Sequence, residues 1–329
     1  MNKKELTFPR IEPLEFSGMG TDLKVLIVVK NIDEARQAKA DLAAAKKEYA
    51  HLEKIFNRFD PASELTRLNR SLNELVSASD DLLIVAKKSL GYFKQTKGLF
   101  DPRIINHLEA AGYARDFKKN DFAPVVQENT ENTLEELASD LEIIKEKIRF
   151  SRRMDFSGIV KGYATDKIAG MLKEKGWRNF LVDSGGDIFA AGRPPESEKW
   201  NIAIEGIDEE KIKLAISDKA VATSGISRRK WERKGKRFHH LIHPKQPTEF
   251  SFNLRTVSVI ADSAEEADVL AKVLFIQGED ERKKFAENQN IPAIFLYYSA
   301  RIWISSSAKS ISIIGNTPKS TKQENLGRD

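Results

Sequence analysis

The stretch Met154–Gly192 constrains the fold of this chain more than any other part of the sequence. It begins with Asp155 after Met154, passes through a small-residue turn to Lys161-Gly162 at the start of a helix, and continues as a strand into Ser184-Gly185-Gly186-Asp187. Two glycine-bearing turns therefore flank one helix, whose first turn carries a lysine. Because free backbone N–H groups at a helix N-terminus bind anions, the stretch predicts a site for a phosphate-bearing ligand. An ordinary strand-to-helix turn with a solvated lysine is the alternative.

The composition is that of a soluble globular protein. Of the 329 residues, 40% are hydrophobic and 31% are charged, and no apolar run approaches the roughly 18 residues that a membrane helix needs. The chain contains no cysteine, which excludes disulfides, thiolate catalysis and cysteine-based metal sites. The N-terminal segment lacks the apolar core of a signal peptide. We therefore expect a cytoplasmic protein as the sequence stands, with an exported, periplasmic protein that has lost its signal as the alternative.

Helical and strand patterns along the chain predict one α+β domain. Three long helices are expected: one from an N-cap at Asp33 to about Phe59, one capped by Ser79, and one that starts with a capping box of Ser263 and Glu266. Strands are expected at LKVLIVV, KWNIAIEGI, KLAISDKAVATSG, RFHHLIHP and RTVSVIA, and PAIFLYYSARIWISS is expected to form a closing hairpin.

The two ends of the chain are expected to lie outside this domain. Residues 1–16 are polar and contain two prolines, which predicts an extended arm. From residue 316 the sequence is again polar, so that 316–329 is expected to be a disordered tail. Because no internal repeat and no long linker interrupts the rest, residues 17–315 are predicted to form a single domain.

The balance of charge argues against a nucleic-acid partner. The net charge is +5, but 54 basic residues are balanced by 49 acidic ones. The one dense basic run, Arg228–Arg237, is most simply the solvated tip of a hairpin, and a phosphate-contacting surface is the alternative. No nucleic-acid partner is therefore expected.

Three of the five histidines cluster at His239, His240 and His243. A zinc site is one interpretation, but a strand would put His239 and His243 on one face and His240 on the other. We therefore interpret His240 as a general acid–base or a ligand-orienting residue.

Three further patterns have side chains suited to an anionic or metal-bound ligand. The spacing Asp155-x-x-Gly158-x-x-Lys161 combines an acceptor, a place where the backbone can approach closely, and a cation. In Ala-Thr-Ser-Gly, Ser224 presents a hydroxyl suited to a phosphate. Asp268 lies in an otherwise apolar helix, where a carboxylate either aids capping or binds a hard metal such as Mg²⁺. The chain has neither Gly-x-Gly-x-x-Gly nor Gly-x-Ser-x-Gly, which argues against a dinucleotide-binding Rossmann unit and an α/β-hydrolase.

Taken together, these patterns resemble the FAD:protein FMN transferase (ApbE) family over nearly the whole chain. The resemblance is carried by eight short motifs in the family's order: Met19-Gly20-Thr21, Phe59-x-x-x-Ser63-Glu64-Leu65-x-x-Leu68-Asn69, Gly98-x-Phe100-Asp101-Pro102, Asp155-x-x-Gly158-Ile159-x-Lys161-Gly162-Tyr163-Ala164, Gly185-Gly186-Asp187, Ala222-Thr223-Ser224-Gly225, His240-x-Ile242-x-Pro244 and Ala267-Asp268-x-Leu270-Ala271.

The resemblance implies a single α+β domain with a β-rich core, flanking helices and an FAD site. In such proteins FAD is cut at its pyrophosphate, and FMN is joined through phosphate to a Thr or Ser hydroxyl of a target flavoprotein, with release of AMP. Mg²⁺ is implied as the Lewis acid and template that neutralises the pyrophosphate. The implied partners are FAD and a target flavoprotein with an acceptor Thr or Ser. A target that is associated with a membrane is one of the possibilities.

The resemblance also implies roles for individual residues. Positions that match cofactor contacts are Met19, Phe59, Leu99, Phe100, Asp101, Asp155, Lys161, Ser224 and Gly225, with Asp155 toward the adenine end and Lys161 at the pyrophosphate or ribose. Gly158 matches a position that contacts the metal through its backbone carbonyl, and Asp268 matches a metal carboxylate. His240 matches the family's catalytic histidine, and Asp268 is the second residue expected to be catalytic.

The sequence departs from the family pattern where the metal is expected. The family has Thr or Ser four residues after the metal aspartate, and here that position is Lys272, which cannot ligate a metal while protonated. Because residues i and i+4 share a helix face, its ammonium is expected to point toward the metal position. The motif after His240 also lacks the family's Asp and Thr-Gly, and Ile226 replaces an acidic residue. We therefore expect an FAD binder with altered metal dependence, and leave open an FAD-holding protein without transfer and an FAD pyrophosphatase.

Overall fold

The computed structural model describes residues 7–115, 136–207, 212–311 and 313–314. In chain order, the strands are β1 (Arg10–Gly18), β2 (Thr21–Val29), β3 (Val76–Ser77), β4 (Leu141–Ile144), β5 (Lys147–Phe150), β6 (Phe180–Ser184), β7 (Asp187–Ala191), β8 (Trp200–Ala203), β9 (Lys213–Ile216), β10 (Lys219–Gly225), β11 (Lys230–Arg233), β12 (Lys236–His239), β13 (Leu254–Ala261), β14 (Ala293–Tyr297), β15 (Ile302–Ile304) and β16 (Ile313–Ile314). The helices are α1 (Ile32–Phe56), α2 (Glu64–Leu68), α3 (Asp80–Gln95), α4 (Ile105–Ala111), α5 (Leu137–Asp140), α6 (Val160–Glu174), α7 (Ala264–Ile276), α8 (Glu279–Asn288) and α9 (Ser306–Lys309), with a 3₁₀ helix at Pro102–Ile104. Over these described ranges, no helix combines the length and the apolarity needed to cross a membrane.

Eight of the strands form one antiparallel sheet in the spatial order β1-β2-β6-β7-β10-β13-β14-β15. Side chains alternate between its two faces. On β2, for example, Val25 and Ile27 pack in the same cluster as residues of α1 and α6, whereas Val28 packs with Trp200 and Ile202 of the small sheet β8-β9-β16. The predicted β-rich core with flanking helices is therefore confirmed.

Helices α6 and α7 lie side by side against the sheet and carry several of the residues that the sequence singles out. At Gly162, a Cβ atom would lie 2.5 Å from both the Ala264 carbonyl oxygen and the Glu265 Cα, so that only glycine permits this contact. One turn later, the Asp166 carboxylate accepts hydrogen bonds from the backbone N–H of Ala264 at 2.8 Å and of Glu265 at 2.9 Å. Two residues of α6 therefore fix the first turn of α7.

The predicted N-terminal arm is wrong for part of its length. Residues 10–16 belong to β1, which pairs with β2 from Arg10 opposite Val29 to Gly18 opposite Thr21. Pro13 does not prevent this pairing, because β1 is an edge strand and edge strands tolerate a residue without an N–H. The tail predicted at 316–329 lies outside the described residues.

The predicted helix starts hold at two of the three positions. The hydroxyls of Ser79 and Ser263 each accept the backbone N–H three residues later, as expected of N-caps. The first long helix begins earlier than predicted, because its N-cap is Asn31 rather than Asp33, and it ends at Phe56.

Candidate active site

A cavity of about 470 Å³ lies between the tip of the β1–β2 hairpin, the end of α1, the start of α6 and the middle of α7. All of the predicted site residues line it: Met19, Phe59, Leu99, Phe100, Asp101, Asp155, Gly158, Lys161, Ser224, Gly225, His240, Asp268 and Lys272. The fold thus gathers residues that are far apart in the sequence, and the role of each toward a ligand stays a prediction.

The tip of the β1–β2 hairpin places Met19 at the cavity wall. Met19 and Gly20 form the two-residue turn, with left-handed φ angles of 50° and 73°, a conformation that is uncommon for a residue with a side chain. Arg229 Nη2 donates to the Gly20 carbonyl oxygen at 3.4 Å. Thr21 approaches Gly185 so closely that a Cβ there would lie 2.0 Å from the Thr21 Oγ1. Contacts on both sides therefore hold the strained turn beside the cavity.

One end of the cavity is aromatic. The rings of Phe59 and Tyr113 have centroids 5.8 Å apart, and the Arg58 guanidinium lies over both, 4.2 Å and 4.6 Å from the two centroids. Arg58 Nη2 also donates to the Tyr113 carbonyl oxygen at 2.8 Å. Flat apolar surfaces beside a delocalised cation are suited to a heteroaromatic ring.

Asp155 is held rigidly in the cavity wall. Just before it, the Asn69 side chain donates to the Met154 carbonyl oxygen and accepts from the Met154 N–H, both at 2.8 Å. The Asp155 Oδ1 accepts from the Ser157 N–H at 2.8 Å. Arg58 Nε lies 3.3 Å from Asp155 Oδ2, as a buried ion pair without hydrogen-bond geometry. Asp155 therefore presents a fixed acceptor to the cavity.

Asp101 lines the cavity with a carboxylate that is already engaged. It accepts hydrogen bonds from Arg103 through N at 2.9 Å, Nε at 3.0 Å and Nη2 at 2.8 Å, and it caps the 3₁₀ helix. Its neighbour Phe100 is buried and lies against Gly158, where a Cβ would be 3.2 Å from the ring. We interpret Asp101 mainly as the support of the Leu99-Phe100 wall.

Another part of the cavity, called here the charged end, is formed around Lys161, Asp187, Asp268 and Lys272. Lys161 directs its ammonium at Asp187. Its Nζ donates to Asp187 Oδ2. The Asp187 side chain is fully buried, and its Oδ1 has no hydrogen-bond partner within the described chain. Thr165 Oγ1 lies 3.0 Å from the Asp187 carbonyl oxygen and 2.6 Å from Ser184 Oγ, so that the strand end is tied to α6 by its backbone as well.

Burial and neighbouring charges set the protonation of this pair. Burial raises the pKa of Asp187 to about 6, the negative charge of Asp268 adds to that, and Lys161 opposes it. Burial lowers the pKa of Lys161, but the charges of Asp187 and Asp268 together hold that pKa above its ordinary value. The opposite charges of Lys161 and Asp187 therefore oppose the effect of burial on each of the two groups.

A second pair lies on α7. Lys272 Nζ contacts Asp268 Oδ1, one helical turn earlier, and lies 3.5 Å from the Asp268 carbonyl oxygen. The Asp268 side chain is only 1% exposed, and its Oδ2 has no hydrogen-bond partner in the part of the chain that is described. A Cβ on Gly158 would lie 3.8 Å from Lys272 Cδ. Lys272 therefore stands between the two residues, Gly158 and Asp268, that the resemblance assigns to a metal.

His240 follows the β11–β12 hairpin, which forms over most of the basic run as predicted. His240 Nδ1 lies 3.3 Å from the Arg229 carbonyl oxygen. Because a carbonyl only accepts, Nδ1 carries the proton and Nε2 keeps its lone pair. Burial, and then the positive charge of Arg229, lowers the pKa of His240 well below its ordinary value. A neutral imidazole with this lone pair is the form that a general base requires.

His239 is a core residue. It is buried, and its ring centroid lies 5.1 Å from that of Phe250 and 5.2 Å from that of Phe252. Burial lowers the pKa of His239 to about 4. The predicted strand RFHHLIHP ends at His239, so that His240 and His243 lie beyond it.

Ser224 and Gly225 end β10, opposite Val257 and Thr256 of β13. Ser224 is buried. A Cβ on Gly225 would lie 2.7 Å from Thr256 Cγ2 and 2.8 Å from the Arg255 carbonyl oxygen. Glycine at this position therefore lets β13 pack closely against the strand end that borders the cavity.

The two helices at the charged end begin in different ways. The first N–H groups of α7 are satisfied by Ser263 and Asp166. The N-cap of α6 is Ile159, which makes no side-chain hydrogen bond, and the Val160 N–H donates to the Phe156 carbonyl oxygen at 3.0 Å. The next N–H groups, of Lys161 and Gly162, have no hydrogen-bond partner in the described chain, and Lys161 lines the cavity. Because uncapped N–H groups attract anions, the start of α6 is the open one of the two.

Sequence reasoning missed three charged residues of the site. Asp187 stood in a recognised Gly-Gly-Asp motif, but no local pattern indicates that its partner is Lys161. Arg229 belongs to the basic run, where its neighbours form an exposed hairpin. For Arg58 the only signal was its position next to Phe59, since its other partners, Tyr113 and Asp155, lie far along the chain.

Comparison with known proteins identifies the group to which this arrangement belongs. The family model described as "ApbE family" matches residues 19–295. The FAD:protein FMN transferase of Haemophilus influenzae is 29% identical over 250 residues, which cover 71% of both chains. The FAD:protein FMN transferase of Vibrio cholerae is 29% identical over 243 residues, which cover 71% of this chain and 72% of the relative.

Solved structures share the fold. The apo flavinyl transferase ApbE of Pseudomonas stutzeri superimposes with a TM-score of 0.77 at 21% identity, over 92% of this chain and 96% of that one. The ApbE protein of Thermotoga maritima gives a TM-score of 0.76 at 22% identity, over 92% of this chain and 99% of that one. Since the family match extends over most of the chain and the fold agrees, this protein belongs to the ApbE family.

Proposed function

We propose that this chain is an FAD:protein FMN transferase. The observation that carries the proposal is a cavity that joins an aromatic end, at Phe59 and Tyr113, to a charged end, at Lys161 and Lys272. FAD combines the same two features, because flat ring systems lie on both sides of its anionic pyrophosphate. Relatives that bear the name of this activity match the chain over 71% of its length, which supports the assignment.

Each end of the cavity offers contacts for one part of FAD. A ring of the ligand stacks at the aromatic end beside Arg58 and Phe59, and Asp155 accepts hydrogen bonds from the adenine end. The pyrophosphate carries about two negative charges and lies beside Lys161 and the open start of α6, where an ammonium and free N–H groups stabilise it.

The transfer step forms one bond and breaks one. The hydroxyl oxygen of a Thr or Ser on an acceptor flavoprotein attacks the phosphorus of the FMN half. The bond from that phosphorus to the bridging oxygen breaks, and AMP leaves with the bridging oxygen. The hydroxyl proton passes to His240 Nε2, and Lys161 stabilises the negative charge that grows on the leaving phosphate.

The residues at the charged end do not fit a divalent cation. Asp268 Oδ2 is a buried oxygen of the type that Mg²⁺ prefers. However, Lys272 contacts the other oxygen of Asp268, and Lys161 contacts Asp187 in the same way. The charges of these four groups sum to zero, and an ammonium stands where the resemblance places a ligand. No step of the transfer is therefore assigned to a metal.

A second acidic group, Glu48, His51 and Asp81, fits a metal no better. The Lys167 ammonium lies 2.6 Å from Glu48 Oε1 and also contacts Asp81 Oδ1. The position between the two carboxylates is thus filled by a cation of the chain itself.

Mass spectrometry tests the proposed function. The protein is incubated with FAD and a candidate flavoprotein that carries an exposed Thr or Ser, with and without Mg²⁺. We expect one FMN joined to a hydroxyl residue of the acceptor and an equal amount of AMP. His240→Gln, which keeps the size of the side chain but removes the base, is expected to lower the rate by about 10²–10⁴-fold.

The same experiment separates the alternatives. FMN and AMP formed without any acceptor would indicate an FAD pyrophosphatase. FAD that binds and stays intact with every acceptor would indicate an FAD-holding protein. A chain that does not bind FAD contradicts all three functions.

A further inference from the structure

The charged end of the cavity is one cluster rather than two separate ion pairs. Lys161 contacts Asp187, and Lys272 contacts Asp268. Across the pairs, the charge of Asp268 acts on both Lys161 and Asp187, and the charge of Lys272 acts on Asp187. An ion that enters this end therefore meets Lys161, Lys272 and Asp268 in the cavity lining, with the charge of the buried Asp187 behind them.

Lys272 is anchored within this cluster. Its partner Asp268 is 1% exposed, so that withdrawal of the ammonium would leave a buried carboxylate unpaired. Asp268 lies on α7, and the close contact at Gly162 fixes α7 against α6. The Asp268 carboxylate therefore keeps its position. The ammonium is therefore held at a set place in the cavity wall.

The anchored ammonium still has hydrogen-bonding capacity. An ammonium carries three N–H donors, and the described contacts of Lys272 are Asp268 Oδ1 and the more distant Asp268 carbonyl oxygen. The Lys272 side chain is 19% exposed and lines the cavity beside Gly158. It can thus bind an anionic oxygen of a ligand while it stays paired with Asp268.

We propose that Lys272 is a built-in cation that replaces a divalent metal, and that it binds the pyrophosphate of FAD together with Lys161. A metal ion would have to compete with the ammonium for Asp268 and would be repelled by both lysines. The chain is therefore expected to bind FAD in the absence of any divalent cation. This inference rests on the proposed function, because it takes FAD as the ligand.

Two binding measurements on the full chain test the inference. Flavin fluorescence follows FAD titrations in EDTA and in Mg²⁺, and electron paramagnetic resonance measures binding of Mn²⁺ alone. The wild type is expected to change its FAD affinity less than about twofold between the two buffers and to leave Mn²⁺ free. In Lys272→Thr, FAD affinity in EDTA is expected to fall at least about tenfold, Mg²⁺ is expected to restore it, and Mn²⁺ is expected to bind.

Further variants control for structure and locate the ion. Lys283→Thr removes a lysine that forms the same one-turn ion pair with Glu279 on α8, outside the cavity lining, and is expected to behave as the wild type. Lys272→Gln retains most of the side-chain length if Lys272→Thr does not fold. Addition of Asp268→Asn to either Lys272 variant is expected to abolish the new Mn²⁺ binding, which locates the ion.

The results separate this inference from the proposed function. A wild type that gains about tenfold or more in FAD affinity from Mg²⁺, or that binds Mn²⁺ as tightly as Lys272→Thr, overturns the inference and leaves the transferase proposal standing. A wild type that binds FAD in neither buffer overturns both. Unchanged FAD affinity of Lys272→Thr in EDTA also overturns the inference.

Discussion

Two lysine–aspartate pairs stand at the same end of the cavity but are built in different ways. Lys161 and Asp187 are 26 positions apart, on α6 and β7, and meet only because the fold brings the two elements together. Lys272 and Asp268 lie one turn apart on α7. In both pairs the carboxylate is buried and keeps one oxygen without a hydrogen-bond partner in the described chain.

The two pairs are expected to differ in how much they contribute to the stability of the fold. A pair made by tertiary structure exists only in the folded state, whereas an i,i+4 pair forms wherever the segment is helical, including residual helix in the unfolded chain. We therefore expect folding to depend more on Lys161, and the choice between a lysine and a metal to depend on Lys272.

The largest effect on stability is expected from Gly162→Ala. This substitution pushes α7, which carries Lys272 and Asp268, away from α6, which carries Lys161. A methyl group at this position meets backbone atoms of Ala264 and Glu265 at 2.5 Å, and backbone cannot give way without moving α7. We expect a loss of about 4 kcal/mol or more in the free energy of unfolding, at the upper end for one substitution. Urea unfolding followed by circular dichroism measures it.

Gly170→Ala is the matched control for Gly162→Ala. It lies on the same helix, and a Cβ there has no atom within 4 Å. Because alanine favours helix over glycine by about 1 kcal/mol, this variant is expected to be as stable as the wild type or slightly more stable. Equal losses at the two positions would show that the helix contact at Gly162 is not the cause.

Lys161→Met tests the tertiary pair alone. Because it leaves Asp187 buried without its cation, we expect a loss of about 3 kcal/mol in the free energy of unfolding. Addition of Asp187→Asn removes the unpaired charge and is expected to recover part of that loss. Strictly additive effects of the two substitutions would contradict a coupling between these residues.

Lys272→Met tests the local pair. It also leaves a buried carboxylate, Asp268, without its cation, and we expect a loss of about 2 kcal/mol in the free energy of unfolding, somewhat less than for Lys161→Met. Part of the attraction between Lys272 and Asp268 is also present in residual helix of the unfolded chain. That part does not contribute to the free energy of unfolding. The same urea unfolding, performed in EDTA, measures the effect. A loss as large as that of Lys161→Met would remove the distinction between the pairs.

The smallest effect is expected on the pH dependence of transfer. Burial first, then Arg229, and to a lesser extent His239 and Lys272, lower the pKa of His240, whereas Lys161 is not among the largest causes. The general base therefore stays neutral as pH falls through 6.5, and the acid limb of the rate profile is expected below that value. In Lys272→Met the limb is expected to move slightly toward higher pH. No such shift is expected in Lys161→Met, and rate profiles at saturating FAD compare the two.

The sequence predicted those parts of the site that local spacing or motif order can encode. The ammonium of Lys272 beside Asp268 follows from helix geometry, and the order of the motifs brought together every residue that was expected to line the cavity. The partner of Lys161 could not be predicted in this way, because strand position, and not spacing, brings Asp187 to it. Arg58 was missed for the same reason, since its place depends on Tyr113.

The main error in the fold has a similar origin. The segment before Gly18 was expected to be an arm because its own sequence is polar and contains prolines. Its partner is β2, and the ladder between them runs the full length of both strands. Pairing at a sheet edge depends on the exposed hydrogen-bonding groups of the neighbour, which the segment itself does not reveal.

The carboxylate of Asp166 ties α6 to the first turn of α7. It holds the amides of Ala264 and Glu265 from a position about 98 residues earlier in the chain. These two amide hydrogens can exchange with solvent only when α6 separates from α7 or the first turn of α7 unwinds. They are therefore expected to exchange as slowly as the protected amides of α6, which would show that the helices that carry Lys161 and Lys272 separate in one step.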